Sequence, residues 1–143
     1  MNTDQVEQIE HSLRRISFTV KQKGREILNQ FPITPPQFIA LQYLKDKGDL
    51  TIGELSSKMY LAFSTTTDLV DRLEKNKLVE RVKDQKDRRV VRVHILSEAV
   101  RSIDEVIQKR QEYLYEVLEH FSDEKVEQLQ VTLHALHHEM SKE

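Results

Sequence analysis

The sequence has no cysteine, and only three glycines and three prolines occur among its 143 residues. Without cysteine, disulfides, thiolate metal sites and thiol-based redox sensing are excluded. So few glycines and prolines predict few turns and long secondary-structure elements. No run approaches the roughly 18 apolar residues of a membrane helix, and the N-terminus shows no apolar signal region. We therefore expect a cytoplasmic, mostly helical protein with one domain per chain and no membrane partner.

The total charge is low, but its distribution along the chain is uneven. The whole chain carries 22 basic and 24 acidic residues, so its net charge of -2 gives no argument for nucleic-acid binding. Residues 51–95 have 10 basic and 7 acidic side chains, whereas residues 96–143 have 5 basic and 11 acidic. Two interpretations stay open: a chance distribution over solvated faces, or a basic nucleic-acid face beside an acidic segment.

Capping signals and apolar periodicity predict four helices in the first half of the chain. Thr34 with Gln37, and Thr51 with Glu54, have the spacing of capping boxes, and Gly48 lies between them as a helix end. Further along, Ser64 is predicted to cap a fourth helix, and Asn76-Lys77 suits its C-terminal end because asparagine tolerates the left-handed conformation. The predicted helices are 4–30, 34–47, 51–58 and 64–76.

The hydrophobic period then changes from helix-like to strand-like. Two β-branched runs, Leu78–Lys83 and Val90–Ile95, flank a polar stretch and predict a hairpin with a charged tip. The helical period returns at Ser97. Ser122 is predicted to cap a last helix whose apolar residues follow heptad spacing, as in a helix that packs along a partner. The fold class is therefore mainly α with a small β-hairpin wing, a winged helix-turn-helix flanked by further helices.

In a helix-turn-helix, the N-terminal residues of the second helix face base edges in the major groove. Small hydroxyl donors suit phosphates and bases, and a threonine methyl can contact a thymine methyl. The alternative is that one hydroxyl merely caps the helix. Arg72 can reach a phosphate or pair with Asp68 one turn earlier. The residues predicted to contact DNA from this helix are Ser64, Thr65, Thr66, Thr67, Asp68 and Arg72.

The tip of the predicted hairpin, Lys86-Asp87-Arg88-Arg89, is the second candidate element. A cation on a projecting wing can enter a minor groove, where the potential is most negative in narrow A·T tracts. The alternative is a solvated charged turn. Its position directly after the two-helix unit favours contact with DNA.

The stretch Leu55–Ile95 resembles the core of the MarR family of bacterial transcription regulators, and the flanking helices and total length match as well. The family pattern is Asp-x-Arg, then five residues, then Leu-Thr. Asp87, Arg89 and Ile95 fill this pattern here, while Leu96 stands where threonine is usual. Ser97 is expected to take over the capping role of that threonine.

The resemblance implies a homodimer in which helices from residues 1–30 and 97–143 interlock, within a single domain that spans residues 1–143. Each monomer would present its winged helix-turn-helix, residues 34–95, to half of a pseudo-palindromic operator in double-stranded DNA. Lys86, Arg88 and Arg89 would then lie at the DNA. Asp87 would hold the wing arginine in place.

The resemblance also implies a small aromatic or phenolic effector that binds between the dimerisation helices and the DNA-binding part and releases the operator. The candidate lining residues are His11, Arg14, Phe18, Phe38 and Tyr43. The alternative is that the three aromatic residues belong to the core. His134 and His138 share a helix face, but without further ligands we expect no metal site and no cofactor.

Catalytic motifs are missing: the sequence has neither a phosphate-binding glycine loop nor a Gly-x-Ser-x-Gly elbow, so we expect no enzyme. The predicted function is a sequence-specific transcriptional repressor. The alternative is a helical dimerisation or adaptor protein that uses the winged unit for protein contacts.

Overall fold

Six helices and one antiparallel hairpin make up residues 1–142, the part of the chain that the computed structural model describes. This confirms a mainly α fold with a small β wing. None of the helices in this range is long and apolar enough to cross a membrane. The elements are α1 (Thr3–Leu28), α2 (Pro35–Lys47), α3 (Ile52–Met59), α4 (Phe63–Lys75), β1 (Val79–Lys83), β2 (Val91–Ile95), α5 (Ser97–Leu118) and α6 (Asp123–Met140).

Both predicted capping boxes are confirmed. The Thr34 hydroxyl accepts a hydrogen bond from the backbone N–H of Gln37, and the Gln37 side chain accepts one from the Thr34 N–H. Thr51 and Glu54 make the same reciprocal pair at the start of α3. Gly48 ends α2 at a φ of 84°, in the region that favours glycine. These caps satisfy backbone donors that the first turn of each helix leaves free.

The predicted start of α4 is wrong by one residue, whereas the predicted end at Asn76-Lys77 is confirmed. The helix begins at Phe63 with Ala62 at the N-cap, so Ser64 lies inside the first turn and caps nothing. At the other end the left-handed residue is Lys77, with a φ of 60°, and not Asn76. The reason is a Schellman motif: the Leu78 N–H donates to the Leu73 carbonyl and the Lys77 N–H to the Glu74 carbonyl.

The hairpin pairs Val79 with Ile95 at its base and Lys83 with Val91 near its tip. A third segment joins this sheet, because the Val93 N–H donates to the Leu50 carbonyl at 2.6 Å and the Leu50 N–H donates back at 3.4 Å. The connection between α2 and α3 is thereby tied to β2.

The chain forms two compact units, Met1–Gln108 and a second that begins at Lys109. The first contains the hydrophobic core, to which α2, α3, α4, the hairpin and the start of α5 all contribute. Its fully buried side chains include Leu41, Leu44, Leu55, Val70, Leu73, Val79, Val93 and Ile103. In the second unit no residue between 109 and 142 is buried, and α6 exposes Leu129, Leu133 and Met140.

Candidate nucleic-acid interface

The solvent-facing side of α4 presents four of the residues predicted from the sequence: Ser64, Thr65, Asp68 and Arg72 are all exposed. Helical spacing places them on the side opposite Val70 and Leu73, which lie in the core. In residues 1–142 no ion pair joins Arg72 to Asp68, so the i,i+4 pairing expected as an alternative is not formed. Both charges are therefore available to an external partner.

The structure removes Thr66 from this set. Its side chain is fully buried, and its hydroxyl donates to the Ala62 carbonyl at 3.1 Å. The prediction that Thr66 contacts DNA is wrong because its side chain is buried on the core side of α4 and has no exposed surface. Thr67 is half-buried and donates its hydroxyl proton to the Phe63 carbonyl at 3.0 Å. It can still offer a methyl group or an acceptor lone pair.

Arg81 on β1 fixes the hairpin to α4. Its guanidinium donates to Glu74 and to Asp71, each at 2.6 Å, and its backbone N–H donates to Glu74 at 3.2 Å. The hydrogen bond to Asp71, the largest of several causes, raises the pKa of Arg81 above its usual value. The clamp also offsets part of the negative charge that Asp71 and Glu74 add to α4.

At the wing tip, Asp87 holds Arg89 as predicted. One carboxylate oxygen accepts from the Arg89 backbone N–H at 3.1 Å and from Nε at 3.0 Å, while the other accepts from the guanidinium at 3.1 Å. These hydrogen bonds, those of the Arg89 side chain first, keep the pKa of Asp87 below its usual value. The Arg89 side chain remains 91% exposed, and Lys86 and Arg88 are exposed beside it. The tip is thus a preformed cationic projection.

A second carboxylate, Asp84, shapes the turn behind that projection. It accepts from the backbone N–H groups of Lys86 and Asp87 at 3.1 and 2.9 Å, and from Nε of Arg92 at 2.8 Å. The Arg92 side chain is the largest cause that keeps the pKa of Asp84 below its usual value.

Arg92 also donates to Glu54, the capping residue of α3, at 3.1 Å. Backbone and side-chain hydrogen bonds from Thr51 are the main reason that the pKa of Glu54 is lowered. A continuous chain of hydrogen bonds therefore runs from the start of α3 through Arg92 and Asp84 to the wing tip. We call it the wing relay.

Sequence reasoning missed the Arg81 clamp and the wing relay. Arg92 and Glu54 are 38 positions apart, and His94 contacts Asp49 at 2.7 Å across 45 positions. Such pairs leave no periodic signal in a single sequence. The burial of Thr66 did have a signal, because Thr66, Val70 and Leu73 are spaced four and three residues apart on the apolar side of α4.

The five candidate effector residues lie in different environments. Phe38 is buried in the core, and Tyr43 packs against it, as the core alternative expected. His11, Arg14 and Phe18 share an exposed face of α1, where Arg14 pairs with Glu10 at 2.9 Å.

His134 and His138 are exposed on α6, and within residues 1–142 no group of three or more acidic or histidine side chains could hold a metal ion.

Known proteins resemble this chain in sequence and in fold. Residues 33–91 match the MarR family model. The HTH-type transcriptional regulator YsmB of Bacillus subtilis (strain 168) is 61% identical over 139 residues, which cover 97% of this chain and 95% of YsmB. This chain belongs to the MarR family.

Two further comparisons agree with that assignment. A MarR family protein from Bacillus stearothermophilus superposes with a TM-score of 0.88 at 56% identity, covering 99% of both chains. The HTH-type transcriptional repressor MdtR of Bacillus subtilis (strain 168) is 28% identical over 82% of this chain and 76% of its own. The protein is a MarR-family transcriptional regulator, and its relatives YsmB and MdtR are both HTH-type transcription regulators.

Proposed function

We propose that this MarR-family regulator is a repressor that binds a pseudo-palindromic operator as a homodimer and leaves it when a small aromatic ligand binds. The observation that carries the proposal is the wing tip, where Arg89 is held by Asp87 and is still 91% exposed. A side chain fixed in place and left open to solvent is preorganised for an anionic partner. The repressor role is supported by the relative MdtR, which is a transcriptional repressor.

Selection from a random double-stranded DNA pool at moderate salt tests the DNA-binding part of the proposal. We expect the protein to enrich a two-fold related sequence, with affinity that falls steeply as salt rises because phosphate contacts release counterions. Failure to enrich any sequence would overturn the proposal and favour an adaptor that uses its winged unit for protein contacts.

The homodimer is supported by apolar side chains that the chain leaves uncovered. Ile9, Ile16 and Val20 are exposed on α1, and Leu129 and Leu133 on α6. A soluble monomer seldom exposes so many large apolar residues along whole helices. Sedimentation at micromolar concentration should give a dimer, and Leu133→Glu should weaken it. Thr132→Glu, one position away and exposed, should not; a wild-type monomer would contradict the proposal.

The effector part of the proposal rests on the family and on the exposed face formed by His11, Arg14 and Phe18. An aromatic anion would find the Phe18 ring, the His11 imidazole and the Arg14 guanidinium cation there. Benzoate is a simple probe: it should release the selected operator in a band-shift titration, and Arg14→Ala should raise the benzoate concentration required. Release that is unchanged in Arg14→Ala would exclude this face as the binding site.

A further inference from the structure

The connection between α3 and α4 exposes large apolar side chains at the edge of the candidate interface. Tyr60 is 94% exposed and Phe63, the first residue of α4, is 62% exposed, with Leu61 exposed between them. Single exposed apolar residues are ordinary, but three among four consecutive positions form a patch. These side chains are not part of the hydrophobic core, to which α3 and α4 contribute Leu55, Val70 and Leu73.

Tyr60 is also held in a backbone conformation that a tyrosine rarely adopts. Its φ of 55° and ψ of 41° are left-handed, where glycine is free of strain and other residues are not. Folding alone therefore favours glycine at this position. A strained and almost fully exposed aromatic residue does not stabilise the fold, which indicates that Tyr60 has a role in binding.

The electrostatics of the segment suit a polyanion. From Leu55 to Thr67 the chain has one charged residue, Lys58, and no acidic residue. The acidic residues of α4 begin only at Asp68, and both Asp71 and Glu74 are paired with Arg81. The segment from Leu55 to Thr67 can therefore approach a duplex without a carboxylate of its own.

Next to Phe63, the hydroxyl groups of Ser64 and Thr65 are exposed, but those of Thr66 and Thr67 are not available as donors. The Thr66 hydroxyl is buried, and the Thr67 hydroxyl proton is donated to the Phe63 carbonyl. What Phe63 and Thr67, one helical turn apart, present to a base edge is mainly apolar. Thymine is the one base that carries an apolar group, its C5 methyl, in the major groove.

We propose that Phe63 and Tyr60 determine specificity by packing on thymine methyl groups in the major groove of the operator. This inference rests on the proposed function, since it requires that α4 faces DNA. Phe63 supplies the contact to the methyl group, and Tyr60 extends the apolar surface toward the neighbouring base or sugar.

Deoxyuridine tests the inference because it removes the C5 methyl group and changes nothing else in the pair. The duplex selected by the wild-type protein is resynthesised with uracil at one thymine at a time. For at least one thymine in each half-site we expect about fourfold weaker binding, the contribution of one buried methyl group. In Phe63→Ala the same replacement should have no effect, because the contact is already lost.

Matched measurements separate this contact from folding and from charge. Ile39→Ala removes an exposed apolar side chain elsewhere in the first unit and should keep the full uracil penalty. Phe63→Ala should unfold at the wild-type urea midpoint and keep the wild-type salt dependence, since no charge is removed.

An equal uracil penalty in Phe63→Ala and wild type would overturn the inference while leaving the proposed function standing. So would a selected operator in which no thymine is sensitive to loss of its methyl group. A pool from which no duplex is enriched would instead overturn the proposed function, and the inference with it.

Discussion

The two surfaces proposed to meet DNA are built in opposite ways. The wing tip is made of charged groups whose positions are set by hydrogen bonds, from Glu54 through Arg92 and Asp84 to Asp87 and Arg89. The start of α4 has almost no charge and presents hydroxyl, methyl and aromatic groups. Charge gives affinity that depends on salt and little on sequence, whereas contacts to base edges discriminate between sequences. We infer that the wing supplies most of the affinity and α4 most of the selectivity.

Of substitutions in these two surfaces, Arg89→Ala should weaken operator binding the most. Loss of a groove contact should weaken operator binding by about 1–3 kcal/mol and lower the salt slope by about 1 per subunit. Fluorescence anisotropy over a salt series measures both quantities. Arg101→Ala is the matched control, because Arg101 is also an exposed arginine near a carboxylate, Glu98, but lies on α5. An equal loss in both variants would mean that the wing has no special role.

Arg92→Met should show whether the wing relay positions Arg89. Loss of the Arg92 ion pairs with Asp84 and Glu54 should lower the urea midpoint of unfolding slightly and also weaken operator binding. In the Arg89→Ala background it should weaken binding no further, since the relay acts through that arginine.

Lys45→Met is the control for Arg92→Met. It breaks the 2.7 Å pair with Asp104 and should cost similar stability, measured by urea unfolding, without affecting DNA binding. Additive losses for Arg92 and Arg89 would argue against a relay.

Lys77→Gly should stabilise the protein, because glycine relieves the left-handed strain at a φ of 60°. We expect a gain of about 0.5–1 kcal/mol in urea unfolding. Lys75→Gly, two positions earlier and inside α4, removes the same charge but should destabilise by about 1 kcal/mol. Changes of the same sign in both variants would contradict the assigned conformation.

The stabilisation that Asp84 and Asp87 give to the wing should depend on pH. Arg92 and Arg89 lower the pKa values of Asp84 and Asp87 below the usual value of 3.8. Stabilisation from these carboxylates is therefore complete above pH 3.8 and is lost as pH falls below it. Carboxyl-carbon NMR titration should place both midpoints below 3.8, and Arg92→Met should raise that of Asp84. Midpoints at or above 3.8 in the wild type would mean that the pairs are not formed in solution.

What the sequence could predict depended on the separation of the interacting residues. Caps such as Thr34 with Gln37 join positions three apart, so their pattern is visible in the chain itself. The predicted start of α4 was wrong because the N-cap residue, Ala62, makes no side-chain hydrogen bond that a sequence pattern could indicate. Ser64, a residue type that often caps helices, was predicted as the N-cap instead. The wing relay and the Arg81 clamp could not be predicted, since their partners meet only when helices pack against the hairpin. Exposure of Tyr60 and Phe63 likewise depends on what the rest of the fold leaves uncovered.

The backbone bridge between Leu50 and Val93 has a mechanical consequence. It ties Val93, in the middle of β2, to the connection between α2 and α3, while the hairpin extends beyond the bridge to Arg89 at the tip. Each strand residue adds about 3.3 Å to that arm. A rotation of the hairpin about this bridge would displace Arg89 further than Val93, and the contacts of Arg81 with α4 and of Arg92 with α3 oppose such a rotation.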